Sequence, residues 1–173
     1  MLPDEGVIRG MGPSRLDHAL LAGPNILESA NFFIEVLGFD LSEELIDHES
    51  GTRLAQFVSC SNKAHDIAFQ LREEPGKFHH VSFYLESMPD VYHAGDIMGK
   101  YNIPVDVGPT RHGITRGATI YFFDPSGNRN EVFSGGYIHY PDRPHLVWDT
   151  TQVGHAAFAI DNQLRPSFFE VVT

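Results

Sequence analysis

The chain has 173 residues, 42% of them hydrophobic, with 13 Phe and 6 Tyr, which suffices for one domain burying roughly 70% of the surface its unfolded chain exposes. Twelve basic residues against 23 acidic ones give a formal net charge of −11, which opposes attraction to nucleic acid or anionic lipid and excludes a polyanionic partner. No apolar run approaches the ~20 residues that span a bilayer, and the start Met1-Leu2-Pro3-Asp4-Glu5 lacks the basic-then-apolar pattern of a secretory leader. A cytoplasmic protein is expected. Cys60 is the lone cysteine; it cannot form an intrachain disulfide and reads as a small semi-buried residue.

Residues 1–14 read as an N-terminal extension. Arg15 to Leu21 then has the pattern of a strand, Asn25 to Leu37 that of an amphipathic helix, and further strands follow near Phe39 to Ile46, Thr52 to Val58 and His65 to Leu71. The order is β-α-β-β-β. After the break at Glu73-Glu74-Pro75-Gly76, Phe78 to Leu85 reads as a strand and Pro89 to Tyr101 as a helix, with Pro89 suited to its first turn. Strands around Val105, Tyr121 and Val132 complete a second unit. The two units, 15–74 and 77–136, align with Leu16-Asp17-His18-Ala19-Leu20-Leu21 over Phe78-His79-His80-Val81-Ser82-Phe83, 62 residues apart, and form an internal repeat. From Gly135 to Thr173 little periodicity remains, so 137–173 is expected to wrap the domain irregularly, with a short helix near Gln152 to Ile160.

Within the second unit, Ala118 to Phe123 has the β-branched and aromatic bias of a strand, Asp124-Pro125-Ser126-Gly127 has turn chemistry, and Asn130 to Phe133 returns as the partner strand. The string from Thr110 to Glu131 therefore gathers an imidazole (His112), a phenol (Tyr121) and a carboxylate (Glu131) around one hairpin and its entry loop. His18 and His80 hold equivalent places in the repeat. His79 competes with His80, and strand alternation decides between them: His79 goes with Val81, Phe83 and Leu85 on a face expected to pack under the helix. His80 shares its side with Ser82 and Tyr84. A strand histidine taken singly is more often a core or surface residue than a ligand. His65 by itself reads as a strand-end surface residue, and His48, His93, His139, His145 and His155 as solvated or structural.

The hairpin string resembles the signature of the extradiol ring-cleavage dioxygenases: a His, then a Tyr, an Asp-Pro turn, and a Glu shortly beyond a Gly. The paired β-α-β-β-β units look like those of the vicinal oxygen chelate superfamily, and the tail resembles the C-terminal extension of catechol 2,3-dioxygenases down to Trp148-Asp149-Thr150-Thr151-Gln152. The resemblance runs from about Arg15 to the last residue. It implies an α+β fold in which two βαβββ modules form an open mixed β-barrel around a metal. It also implies a facial triad of His18, His80 and Glu131, a ligand set that suits non-haem Fe(II) and leaves positions open, with Mn(II) as the other metal. By the same resemblance His65 acts as acid and base, while His112 and Tyr121 hydrogen-bond the substrate. Catechol or a substituted catechol and O₂ would yield a 2-hydroxymuconic semialdehyde.

One departure stands out. Familiar catechol 2,3-dioxygenases carry two such domains, the catalytic one second, whereas this sequence holds only the catalytic pair of modules, either as a one-domain enzyme or as a fragment, and a homo-oligomer is expected to cover the surface that a first domain would shield. Two rivals within the superfamily are a glyoxalase-like metalloenzyme, which uses a different ligand set, and a drug-binding module, which needs no metal ligands.

Overall fold

The computed structural model describes residues 10–173, so the first nine residues of the expected N-terminal extension lie outside the described part. The first module runs through β1 (Arg15–Gly23), α1 (Ile26–Glu35), β2 (Asp40–Asp47), β3 (Thr52–Ser59) and β4 (Ile67–Leu71). The second follows as β5 (Lys77–Tyr84), α2 (Met88–Tyr101), β6 (Val105–Arg111), β7 (Gly117–Phe123) and β8 (Arg129–Gly135). Local chemistry accounts for the helix ends. Ser87 accepts a hydrogen bond from the Asp90 N–H, Pro89 sits in the first turn, and Asn102 closes α2 in the left-handed region at φ 53°. Gly38, at φ 75°, turns the chain out of α1 toward β2.

All nine strands lie in one mixed sheet, ordered β6-β7-β8-β5-β1-β4-β3-β2-β9, where β9 is Leu146–Asp149. The end strands do not pair with each other, so the curl stays open. β1 and β5 meet antiparallel at its centre and join the modules. Each helix covers its own module: Ile26 and Ala30 of α1 pack with Val58 and Phe69, and Val91, Ala94 and Met98 of α2 pack with Leu85, Ile120 and Val132. No helix among the described residues is long and apolar enough to cross a membrane.

The tail is more ordered than expected. The short helix expected near Gln152 to Ile160 forms as α3 (Val153–Ala157), and the tail adds β9 alongside β2, a 3₁₀ turn at Thr150–Gln152 and α4 (Pro166–Glu170). The short β9 and α4 have too few residues for a period to show, and tertiary partners create them. Cys60 is exposed, not semi-buried, because it follows the end of β3. His65 lies two residues ahead of β4 and is nonetheless buried, at 5% exposure.

Arg129, 1% exposed, ties the tail to the sheet. Its Nε donates to Asp106 Oδ2 at 2.9 Å, Nη1 to the carbonyls of Val171 and His79 at 2.8 and 3.3 Å, and Nη2 to the Ser167 carbonyl at 2.8 Å. The last residue, Thr173, exchanges backbone hydrogen bonds with Phe78. Removing one partner of a buried ion pair strands the other charge. Arg129→Leu is therefore expected to cost about 3–5 kcal/mol in urea unfolding and to expose the segment from 160 to 173 to protease before the remainder is cut.

Candidate metal centre

β1 carries His18, β5 carries His80 and β8 carries Glu131, and the register brings them together: Ser82 of β5 lies opposite both His18 and Glu131. One donor atom from each of the three lies within 4.8 Å of the others. Glu131 Oε2 is 2.9 Å from His18 Nε2 and 3.5 Å from His80 Nε2, and the two Nε2 atoms are 3.4 Å apart. Glu131 is fully buried, and His18 and His80 are 4% and 2% exposed. Oε1 of Glu131 accepts from the Thr119 hydroxyl at 2.5 Å, and Oε2 is paired with His18 Nε2.

The outer nitrogen of each histidine is engaged by the residue just before it. His18 Nδ1 donates to Asp17 Oδ2 at 3.0 Å. His79 Nε2 lies 2.6 Å from the Phe168 carbonyl, which can only accept, so a neutral His79 donates there and keeps a bare Nδ1. His80 Nδ1 then donates to it at 2.7 Å. Burial, aided by the Arg129 charge, lowers the His79 pKa to about 3 and keeps it neutral. In both histidines Nε2 is thereby turned toward Glu131, the orientation that outer partners impose on metal-binding imidazoles.

This placement corrects the expectation for His79. It does not pack under α2, because the β1–β5 pairing shifts register between Leu20–His80 and Leu21–Phe78. The bulge breaks strict alternation and puts His79 beside His80, in edge contact with Phe168 at 4.8 Å. The same pairing shifts at Asp17, between Leu16 and His18.

The field at the centre favours a cation. Burial alone would lower the His18 pKa, yet the charges of Glu131 and Asp17 and hydrogen bonds to both outweigh it and raise it to about 9. Burial would raise that of Glu131, but His18, His112 and His80 hold it well below the ordinary carboxylate range. Two imidazole nitrogens and a buried carboxylate oxygen converging under that field fit a divalent metal.

The other expected residues stand around the same point. His65 packs against His18 with ring centroids 4.0 Å apart and the rings tilted by 47°, and its buried Nδ1 has no hydrogen-bond partner among the described residues. Burial, then the His18 charge, push its pKa well below the ordinary value. His112 Nδ1 donates to the Ala157 carbonyl, and its Nε2 accepts from the Tyr121 hydroxyl at 2.8 Å. Burial and then Glu131 raise the Tyr121 pKa well above the ordinary phenol, so it stays a donor. All five rings line one cavity of about 290 Å³, close to the lower end of the ~300–1,000 Å³ typical of small-molecule pockets. None of His48, His93, His139, His145 and His155 lines it.

Sequence reasoning missed the residues that hold the site. Glu43, fully buried in β2, accepts from the Thr115 N–H at 2.8 Å and from Trp148 Nε1 at 2.6 Å, and the Gly113 and Ile114 N–H groups both reach the Ala156 carbonyl. The His112 loop is thus bound to the first module and to the tail. The adjacent acids Glu43-Glu44 inside one strand were a legible signal, since alternation must turn one of them inward. Gly117 is required by contact: a Cβ there would lie 1.7 Å from the Phe133 ring, which itself packs edge-on against His18 at 5.4 Å.

Residues 15–132 match the family described as Glyoxalase/Bleomycin resistance protein/Dioxygenase superfamily. The chain is 51% identical over 166 residues to a metapyrocatechase of Pseudomonas sp. strain CF600, covering 96% of this chain and 54% of that protein. It is 30% identical to a manganese-dependent 2,3-dihydroxybiphenyl 1,2-dioxygenase of Geobacillus genomosp. 3, covering 91% and 51%. The crystal structure of the 2,3-dioxygenase LapB from Pseudomonas sp. KL28 superposes with a TM-score of 0.81 at 52% identity, over 83% of this chain and 50% of that one. The chain spans about half the length of the relatives it matches. It belongs to the glyoxalase, bleomycin-resistance protein and dioxygenase superfamily, with the extradiol ring-cleavage dioxygenases as its relatives within it.

Proposed function

We propose that the protein opens catechol or a substituted catechol with O₂, cleaving beside rather than between the two hydroxyls, at a ferrous ion held by His18, His80 and Glu131. The observation that carries this reading is the convergence of the His18 and His80 Nε2 atoms on the buried Glu131 Oε2, with His65, His112 and Tyr121 around the same cavity. A metal held by these three residues would lower the pKa of the catechol hydroxyls bound to it and supply the redox centre for reaction with O₂. Mn(II) is the second candidate, since one relative is a manganese-dependent enzyme. The same reading carries a cytoplasmic location and a homo-oligomer, the latter supported by exposed Leu27, Phe32, Val36 and Leu37 on and after α1.

The chain's own groups handle protons and position. His65, neutral and with a free Nδ1, takes a proton from the entering catechol and returns it to the leaving oxygen. Tyr121 and His112, coupled at 2.8 Å, form a hydrogen-bonding pair for the substrate oxygen, and the Ala157 carbonyl holds the His112 ring in place. The apolar wall, including Leu45, Phe57 and Ile114, seats the ring and keeps water from the reacting carbons.

Metal analysis of purified protein should find about one iron per chain, and Glu131→Ala or His80→Ala should abolish it. His79→Ala should weaken metal affinity about 10–100-fold, because it removes the acceptor that turns His80 Nε2 inward. His79→Gln, which can still accept from His80 and donate to the Phe168 carbonyl, should recover most of it. Iron retained undiminished in His79→Ala would remove that residue from the site.

Catechol in air should give the yellow ring-opened semialdehyde, identified by mass and absorbance; recovery of muconic acid would overturn the proposed regiochemistry. His65→Phe should keep iron and bind catechol anaerobically but turn over about 10²–10⁴ times more slowly. Loss of iron in that variant would make His65 a ligand, and normal turnover would leave it without a catalytic part.

A further inference from the structure

The cavity that holds the histidines is also lined by a half-buried arginine, two of whose guanidinium nitrogens have no hydrogen-bond partner among the described residues. Arg72 directly follows β4, its backbone N–H donating to the Gly23 carbonyl at 2.9 Å, and its side chain lines the cavity that His18, His65 and His80 line. Its Nε and Nη2 are buried, and among the described residues neither has a hydrogen-bond partner. Glu73 and Glu74 come next in sequence, yet Glu74 pairs with Lys77, and no Asp or Glu is among the residues that line the cavity. Two residues before Arg72, Gln70 lines the same cavity with its own Oε1 buried and unpartnered. Gln70 lies level with Ala22 on β1, four residues from His18, or about 13 Å at the rise of a strand. Leu20, Leu45, Leu54 and Ala55 lie among the otherwise apolar lining.

A guanidinium cannot shed its proton to escape burial. Buried N–H groups without acceptors are unfavourable, and no acidic side chain lines the cavity to meet them. The planar fork matches a carboxylate through two parallel N–H···O bonds. Turned about its last bond, the Gln70 amide offers its NH₂ to the same anion.

We propose that Arg72, with Gln70 beside it, is a subsite for a carboxylate carried by the aromatic substrate on a short chain, the dihydroxy ring lying at the histidine end and the carboxylate at the Arg72 end. This deepens the proposed ring-cleavage reading and rests on it. The substrate class is then an acidic catechol, not a purely alkyl-substituted one.

The test has two arms. With the iron-loaded protein, kcat/KM is measured for 3-(3,4-dihydroxyphenyl)propionate and for its uncharged analogue 4-propylcatechol, with catechol as the check on the reaction itself. The carboxylate compound should be favoured roughly ten- to a hundredfold, the scale of a charge-assisted hydrogen bond. Arg72→Met should erase that preference and Arg72→Lys should keep part of it. A wild-type preference for 4-propylcatechol, or a ratio unchanged in Arg72→Met, overturns the subsite. In the second arm, calorimetry on metal-free protein uses 3-phenylpropionate, 3-phenylpropanol, acetate and phosphate, so binding is read without turnover. 3-Phenylpropionate should bind at least about tenfold more tightly than the other three, and Arg72→Met should abolish the difference. Equal binding of acetate or phosphate would mean a site for a free anion and would overturn the substrate-arm assignment. Failure to cleave catechol with 3-phenylpropionate binding intact would sink the reaction and leave the subsite standing.

Discussion

The centre of this protein depends on one buried negative charge. Glu131 has no solvent contact, and a carboxylate in that position destabilises the fold by several kcal/mol unless its oxygens are compensated. One oxygen is met by the Thr119 hydroxyl, and the other faces two imidazole nitrogens, that of His18 at 2.9 Å and that of His80 at 3.5 Å. Seen this way, the histidines are part of the fold's electrostatic closure as well as candidate ligands. A divalent cation held by the three would complete that compensation.

The repeat explains how two modules deliver matching ligands. His18 and His80 occupy equivalent places, and each is oriented by the residue just before it, Asp17 in one module and His79 in the other. Both of those residues lie where the central β1–β5 pairing slips out of register. A bulge lets two consecutive side chains turn toward one region, which a regular strand forbids. Asp17 is an acceptor in its own right, whereas His79 becomes one only because the Phe168 carbonyl takes its other proton. The symmetry is therefore one of geometry and not of chemistry.

The tail is part of the site's support. β9 and α3 hold the His112 loop through Trp148, Glu43 and the Ala156 carbonyl, while α4 supplies Phe168 to His79 and anchors through Arg129. The residues that most resemble catalytic groups thus depend on a segment with little sequence pattern of its own. Long-range hydrogen bonds from a buried arginine and glutamate do for this segment what periodicity does for the helices. Their partners are separated by up to 105 residues.

Much was legible without coordinates. The hydrophobic period located both helices and nearly every strand within a residue or two, because each local segment must bury one face whatever surrounds it. The 62-residue repeat aligned His18 with His80, and the turn chemistry at Asp124 to Gly127 placed Tyr121 and Glu131 on paired strands, where they lie directly opposite. What sequence pattern could not reach depends on register slips and distant partners. Alternation put His79 on the wrong face because a bulge leaves no compositional mark, and it left His65 at a strand end with no hint of its packing against His18. Nor did composition distinguish Arg72 from any surface arginine. Burial of its guanidinium atoms in a shared cavity is a property of the assembled sheet, since side chains from β1, β4, β5 and the tail must all be in place before that space exists.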